Sequence, residues 1–294
     1  MEFSSCHGCS LCLLSCPVWR QTRDVRLTPH GRAKALQNGA TAADLQASIA
    51  SCTLCGSCEP ACPEEIPLVD MILELRRQQP LKELVPVHET IVPISEDLLL
   101  AGEALRRDPE RVKRIASLLD IAVAADDGSD ISRAIECGAA LPSGRVSSFI
   151  GSFRNAKRLV VADGLLLRKL REWLPEKQLV SLGEALSALE AVRARLRATD
   201  LYVIEPRAFH ADHARLVRHY AALIEARNVK TNLDLQRLAV PTCASSAAKR
   251  VDPLDQARWI LDGRAFDRVV VEDAADCAVF AQVTDRQVLH IGDL

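Results

Sequence analysis

Two stretches near the N-terminus decide how this chain folds: CHGCSLCLLSCP at 6–17 and CTLCGSCEPACP at 52–63. Both have the spacing Cys-x2-Cys-x2-Cys-x3-Cys-Pro. On a regular helix the first three cysteines of such a run would spread over about 9 Å of rise, so a loop must fold them around one centre. Gly8 and Gly56 favour that loop because glycine adopts positive φ angles at little steric cost. The doubled run therefore predicts metal binding.

The remaining composition is that of an ordinary globular chain. The 294 residues include eleven cysteines, and this odd number argues against a disulfide framework. We find no basic and apolar leader and no long apolar run, so we expect a cytoplasmic protein without a membrane-spanning helix. Lys and Arg number 37 against 39 Asp and Glu, which gives a net charge of −2. That balance does not support a nucleic-acid partner.

Each run resembles the cluster-binding run of bacterial ferredoxins, whose fourth cysteine ligates the other of two clusters. The resemblance implies two 4Fe-4S clusters with crossed ligands. The ligands expected for cluster 1 are Cys6, Cys9, Cys12 and Cys62. The ligands expected for cluster 2 are Cys52, Cys55, Cys58 and Cys16. The alternative is a pair of structural zinc sites, but zinc sites generally combine separated Cys-x2-Cys pairs.

Further segments of the N-terminal part resemble one family of proteins. The segment LTPHGRA at 27–33 stands between the two runs, and its PHGR corresponds to a Pro-Arg-Gly-Arg segment of that family. After the second run, Leu68, Ile72 and Leu75 recur at helical spacing. Together these features look like the iron–sulfur subunits of heterodisulfide reductases and of glycolate, lactate and glycerol-3-phosphate dehydrogenases. The resemblance covers about residues 4–79 and implies a helical ferredoxin domain over 1–79.

The rest of the chain predicts a helical connector over 80–150 and an α/β domain over 151–294. Apolar residues recur at helical spacing from Ser95 to Leu119, and Pro109 should divide that stretch into two helices. Short apolar runs then alternate with helical segments, which favours a mostly parallel sheet and an α+β chain overall. The expected strands are 158–162, 201–204, 268–271 and 287–291. The expected helices lie near 164–173, 183–198, 210–227 and 253–262.

The C-terminal domain resembles a degenerate form of the cysteine-rich modules that carry a Cys-Cys-Gly triplet in that family. TCASSA at 242–247 stands where the triplet would fall, so Cys243 has lost its neighbouring cysteine and the glycine. Cys243 and Cys277 cannot ligate a cluster unaided. We expect them, like Cys137, to be small buried side chains, with a redox role for Cys243 as the alternative. His210 and His213 could share a helix face but lack a third ligand, so we expect no metal there.

We conclude from the sequence that the chain is an electron-transfer subunit of a multi-subunit oxidoreductase. Electrons would pass through the two clusters between a flavoprotein dehydrogenase or a heterodisulfide-reductase-like subunit and a carrier. No phosphate-binding loop or catalytic triad is evident, so we expect a component of an enzyme complex and no stand-alone catalyst. Two alternatives stay open: the C-terminal module could reduce a disulfide or another substrate through Cys243, or it could be a docking platform.

Overall fold

The computed structural model describes residues 3–81, 86–91, 95–235, 237–248 and 250–294. Residues 3–81, the N-terminal lobe, contain helices and turns and no strand. The helices are α1 (Leu11–Leu14), α2 (Pro17–Thr22), α3 (Pro29–Gln37), α4 (Gln46–Ser51) and α5 (Leu68–Gln78). A 3-10 turn, Val25–Leu27, precedes α3. The lobe is helical, as the resemblance implied.

The packing of α3 depends on two residues at its start. The Thr28 side chain accepts a hydrogen bond from the Gly31 N–H at 3.2 Å, which caps the helix. A Cβ atom at Gly31 would lie 2.1 Å from the carbonyl oxygen of Val25. The preceding turn can therefore lie directly on α3 only because residue 31 is glycine. This close approach fixes α3 beside the cysteine runs.

The remainder of the chain alternates strands and helices. The strands are β1 (Asp97–Leu100), β2 (Ala122–Val123), β3 (Arg158–Val161), β4 (Gln178–Ser181), β5 (Asp200–Val203), β6 (Lys230–Thr231), β7 (Leu233–Asp234), β8 (Leu238–Ala239), β9 (Arg268–Val271) and β10 (Gln287–His290). The first sheet has the order β2-β1-β3-β4 and the second has the order β10-β9-β5-β6, and every neighbouring pair in both is parallel. Strands β7 and β8 form a small antiparallel pair.

Helices connect these strands and cover the sheets. Those that follow β1 and β2 are α6 (Gly102–Arg106), α7 (Pro109–Leu119), α8 (Ser129–Cys137) and α9 (Arg145–Ser152). Those that follow β3, β4 and β5 are α10 (Gly164–Trp173), α11 (Leu182–Ala188), α12 (Glu190–Arg193), α13 (Pro206–Ala211) and α14 (His213–Arg227). The last two are α15 (Pro253–Leu261) and α16 (Ala274–Phe280), and a 3-10 turn, Ile291–Asp293, follows β10.

The two sheets share one apolar core. Alternate residues of a strand point to opposite faces, and Leu99 and Val160 of the first sheet pack in the same cluster as Tyr202 and Val270 of the second. The residues between them face outward, toward separate helix layers. Both faces of each sheet are therefore buried, as is usual for parallel sheets.

The prediction of an all-helical stretch from Ser95 to Leu119 is wrong at its start. Leu98 and Leu99 lie in β1, which pairs with β2 and β3. Leu98, Leu99 and Leu100 are at most 1% exposed, and a short apolar run buried on both sides fits a parallel strand as well as a helix. Pro109 does begin a new helix, as expected. The first sheet therefore begins within the segment expected to be a helical connector, and the division at residues 79 and 150 stays a prediction.

The four strands expected beyond residue 151 are present, each to within one residue at either end. Strands β4, β6, β7 and β8 were not expected. The helix expected over 183–198 is divided between α11 and α12, and the one over 210–227 is divided between α13 and α14. The helical N-terminal region and the parallel sheets that follow it confirm the α+β class.

Candidate metal centre

The structure gathers the eight cysteines of the two runs around two cavities. The first cavity is lined by Cys6, Cys9, Cys12 and Cys62. The second cavity is lined by Cys16, Cys52, Cys55 and Cys58. Each cavity thus receives three cysteines from one run and the last cysteine of the other. These are the two sets expected from the sequence, and their role as ligands stays a prediction.

The cavities are alike in size and lie next to each other. Each has a cavity volume of about 20 Å³. Pro29, the first residue of α3, and Leu68, the first residue of α5, line both cavities. Only apolar side chains of the lobe are common to both walls, so two similar groups could sit close together with no charged residue shared between them.

The electrostatics of the thiols follow the same grouping. Burial raises the pKa of Cys12 to about 11, with a further increase from Cys9, Cys6 and Cys62. Burial raises the pKa of Cys16 to about 12, and Cys55 and Cys52 add to this increase. At neutral pH these thiols keep their protons, and a bound metal must displace the protons to obtain thiolate ligands.

A buried arginine in the wall of the second cavity supports a fit to an anionic group. Arg32 is 1% exposed, and its side chain donates to the carbonyl oxygens of Leu27 and Ser48 at 2.8 and 2.9 Å. Its Nε has no hydrogen-bond partner among the residues that the structure describes. A buried donor without a partner is costly. A cluster with four thiolate ligands carries negative charge, which would interact favourably with this N–H group. The donor set and this arginine therefore fit an iron–sulfur cluster.

The two cavities differ in exposure. Cys9 is exposed and the other three cysteines of the first cavity are partly buried. In the same cysteine run, Leu11 and Leu14 of α1 are 41% and 62% exposed. In the second cavity, Cys16 is buried and the other three are partly buried. The first cavity therefore lies nearer the solvent.

Side chains from the α/β part cover the loop that carries Cys52, Cys55 and Cys58. Arg207 of α13 donates to the carbonyl oxygen of Thr53 at 2.9 Å. His210 of the same helix lies with Nδ1 2.7 Å from the carbonyl oxygen of Cys55. Sequence reasoning missed both contacts, because each joins residues more than 150 positions apart.

Charged residues hold the other side of this loop. Arg168 of α10 binds Glu59 through two hydrogen bonds of 2.7 and 3.1 Å, and it also contacts Asp70 of α5. Arg76 of α5 is fully buried and donates to the carbonyl oxygen of Cys52 at 2.5 Å. Glu59 directly follows Cys58, so this ion pair and the hydrogen bond from Arg76 hold the loop at both ends.

The cysteines outside the two runs occupy different surroundings. Cys137 is buried at the end of α8, and Cys277 of α16 packs partly buried against the core of the second sheet. Cys243 packs with Cys16 and Val18 and lies near Cys55. Burial raises the pKa of Cys243 well above that of a free thiol, which is unfavourable for a nucleophile.

The histidine pair forms no shared site. The rings of His210 and His213 lie 6.2 Å apart. Both ring nitrogens of His210 contact the backbone, since Ala239 N–H donates to Nε2 at 3.1 Å and Nδ1 faces Cys55. Burial lowers the pKa of His210 to about 3, so the ring is neutral. His210 is thus a core histidine.

A polar cleft lies where strands of both sheets end. Asp163 follows β3, Glu205 follows β5 and Asp273 follows β9, and all three line the cleft together with Arg207. Burial, and then the charge of Asp273, raise the pKa of Glu205 to about 8. Because Arg207 also contacts Thr53, the cleft and the second cavity are neighbours.

Two kinds of feature are missing from the described residues. Among them, no group of three or more His, Cys, Asp or Glu side chains is arranged to hold a single metal ion. Within the same part of the chain, no helix combines the length and the apolar character needed to cross a membrane.

Comparisons with known proteins identify relatives among iron–sulfur proteins. The model of a 4Fe-4S dicluster domain matches residues 2–66. The C subunit of the ferredoxin/F(420)H(2)-dependent CoB-CoM heterodisulfide reductase of Methanosarcina acetivorans is 33% identical over 120 residues, which are 39% of this chain and 68% of that protein. The C subunit of the ferredoxin:CoB-CoM heterodisulfide reductase of Methanosarcina mazei matches with the same identity and coverage.

A third relative differs in length. Lactate utilization protein B of Macrococcus caseolyticus is 35% identical over 104 residues, which are 34% of this chain and 20% of that protein. No solved structure matches the chain at a significant level.

Proposed function

Because this chain belongs to the family of iron–sulfur electron-transfer proteins that includes the C subunits of heterodisulfide reductases, we propose that it relays electrons within a multi-subunit oxidoreductase through two 4Fe-4S clusters. Such clusters, when bound, supply one-electron redox steps over a wide range of potentials. The partner would be a flavoprotein dehydrogenase or a heterodisulfide-reductase-like subunit, and the complex would work in the cytoplasm, where free thiols stay reduced.

One observation carries the proposal: each of two adjacent cavities is lined by three cysteines of one run and the fourth of the other. We assign Cys6, Cys9, Cys12 and Cys62 to cluster 1. We assign Cys16, Cys52, Cys55 and Cys58 to cluster 2. The assignment gives every iron of two cubes one thiolate ligand. It also ties the two runs together, so that neither cluster can assemble from one run alone.

The difference in exposure suggests a direction of contact. Cys9 is exposed, and so is Leu11, which lies in the chain between Cys9 and Cys12 of the first cavity, so the redox partner would cover this face. Exposed apolar side chains next to a redox centre suit a protein contact, because they lose water on association. Electrons would then pass between the first and second cavities, past Pro29 and Leu68.

The catalytic alternative through Cys243 finds little support. Its thiol stays protonated because burial raises its pKa, and a thiol of this kind is a poor nucleophile. Arg207 and His210 of the α/β part contact the cluster loop through its backbone carbonyl groups. These contacts favour a supporting role for this part of the chain.

Anaerobic reduction of the purified full chain tests the relay. Photoreduced free flavin serves as the donor, and the absorbance of the clusters follows the reaction. We expect about two electrons to be taken up per chain, one for each cubane, and to be returned on addition of ferricyanide. The Cys58→Ala variant should take up about half as many. Uptake of no electrons by the wild-type chain would contradict the proposal.

A further inference from the structure

The loop that carries three cysteines of the second cavity is contacted by one short helix, α13, from more than 150 residues away. Arg207 donates to the carbonyl oxygen of Thr53 at 2.9 Å, and His210 lies 2.7 Å from the carbonyl oxygen of Cys55. Among the described residues, no side chain of α13 lines either cavity, and these two hydrogen bonds reach only the loop of the second. The two cavities therefore differ in their outer surroundings as well as in exposure.

The tautomer of His210 follows from its two partners. The backbone N–H of Ala239 donates to Nε2 at 3.1 Å, so this nitrogen is the acceptor. Nδ1 must then carry the proton and donate a hydrogen bond to the carbonyl oxygen of Cys55. His210 is 4% exposed, so water does not compete for either bond. The ring connects β8 to the cysteine loop as a fixed, neutral donor.

The fit between His210 and the loop leaves no spare room. Gly56 has a φ of +76°, and a Cβ atom there would lie 3.0 Å from Cβ of His210. The glycine that allows the cysteine loop to fold also allows the histidine to reach the preceding carbonyl group. Glycine at position 56 is therefore needed both for the positive φ of the loop and for the close contact with His210 of α13.

Arg207 brings a full positive charge to the same loop. It is 9% exposed and pairs with Glu136 of α8 at 2.5 Å, while its bond to Thr53 O holds the residue between Cys52 and Leu54. A guanidinium group is always charged. Glu136, Asp163 and Glu205 all lie within electrostatic reach of this charge and offset part of it, but at this depth the remaining field is weakly screened and reaches the second cavity.

We propose that His210 and Arg207 are positioning residues that raise the reduction potential of cluster 2 relative to cluster 1. Reduction adds negative charge at the second cavity. A hydrogen bond donated to Cys55 O draws electron density away from the ligand loop, and the charge of Arg207 attracts the added electron. The α/β part would then serve to set a potential. This inference rests on the proposed function, because it requires two clusters in the N-terminal lobe.

The test is a redox titration of the full chain under argon, monitored by EPR. Cys9→Ser and Cys58→Ser variants assign the signals to cluster 1 and cluster 2. His210→Leu keeps an apolar side chain of similar size in place, which excludes water, but it removes the donor. We expect its cluster 2 potential to become more negative by about 59 mV, a tenfold change in the sharing of an electron between the clusters, while cluster 1 is unchanged.

A conservative variant and a matched control make the result specific. His210→Asn places an amide N–H near the position of Nδ1 and should restore most of the potential. His213→Leu changes the other histidine of the pair, which contacts Arg237 O at 3.4 Å, and should leave both potentials unchanged. Wild-type potentials in both His210 variants would overturn the inference. Loss of cluster 2 from both would also overturn it, because His210 would then be needed only for folding. A wild-type chain without two clusters would instead contradict the proposed function.

Discussion

The two cysteine cavities are lined by two runs with the same cysteine spacing, but the residues that surround the two cavities differ. The first has an exposed cysteine, Cys9, and exposed apolar side chains of α1 in the same cysteine run. The second is covered by α10 and α13: Arg168 of α10 binds the carboxylate of Glu59, and Arg207 and His210 of α13 bind backbone carbonyl groups of its loop. The repeat in the sequence therefore makes two similar binding sites, and the rest of the fold makes them different.

This difference has a physical consequence for a relay. A centre near the surface can exchange electrons with a partner, whereas a centre inside a fixed shell of dipoles and charges keeps a potential that the protein sets. The α/β part needs no cluster of its own to matter in such a scheme. It contributes by covering one of the two centres.

The largest expected effect tests the crossed pairing. Cys16 belongs to the first run but lines the second cavity, so Cys16→Ala should remove the same EPR signal as Cys58→Ala and about four of about eight irons per chain. Cys62→Ala should instead remove the signal that Cys9→Ala removes. Cys243→Ala is the control and should retain all the iron. If Cys16→Ala and Cys9→Ala removed the same signal, each cluster would belong to one run and the comparison of the two cavities would fail.

A second experiment weakens the cover of the second cavity. Arg168→Met removes the partner of Glu59 and leaves a carboxylate largely buried beside Cys58, so we expect a loss of about 3 kcal/mol in the free energy of unfolding. Arg77→Met is the matched control, since its pair with Glu74 lies on the exposed side of α5, and it should change stability by less than about 0.5 kcal/mol. Denaturant unfolding of both variants measures the difference. Equal effects would mean that Arg168 does not hold the loop.

The difference in exposure should appear as a difference in rate. An iron chelator added to the oxidised protein should remove the iron of cluster 1 about tenfold faster than that of cluster 2, which corresponds to about 1.4 kcal/mol in the activation barrier. We expect the absorbance to decay in two phases of equal amplitude. EPR of samples quenched between the phases identifies the cluster that remains. A single phase, or loss of cluster 2 first, would contradict the contrast between the cavities.

The smallest effect concerns the polar cleft next to the second cavity. Glu205 has its pKa raised from 4.5 to about 8 by burial, so the folded state holds this proton to a higher pH than the unfolded state. Its contribution is complete below pH 4.5 and is lost as the pH rises toward 8. Glu205→Gln should therefore flatten the fall of stability between pH 5 and 8, by on the order of 1–2 kcal/mol.

Other carboxylates of the cleft limit the size of that change. Burial also raises the pKa of Asp273, and that of Glu272 to about 7, so a part of the slope should persist in the variant. Glu110→Gln, at an exposed site on α7, removes the same charge and should leave the slope unchanged. Thermal unfolding at several pH values compares the three proteins, and identical slopes in all of them would exclude a role for Glu205.

The sequence predicts the N-terminal lobe well because its signals are local. The cysteine spacing, Pro29 at the start of α3 and the apolar period of α5 each act within a few residues. Strand β1 was mistaken for helix because Leu98, Leu99 and Leu100 are buried on both sides and show no alternation.

The residues that surround the second cavity could not be predicted from the sequence, for a different reason. Arg207 and His210 contact the cysteine loop through the tertiary fold. The spacing of residues 205–213 does not predict those partners. Arg32 stood in a segment that the sequence singled out, yet its buried and unpartnered Nε is visible only in the fold.

The most direct test of the account is a count of iron and acid-labile sulfide in anaerobically purified wild-type chain, with EPR after reduction. We predict about eight irons and about eight sulfides per chain, and a spectrum broadened by the interaction of two neighbouring reduced clusters. A colourless protein that holds zinc, or one with about four irons and a single unbroadened signal, would contradict the assignment of two clusters to the eight cysteines.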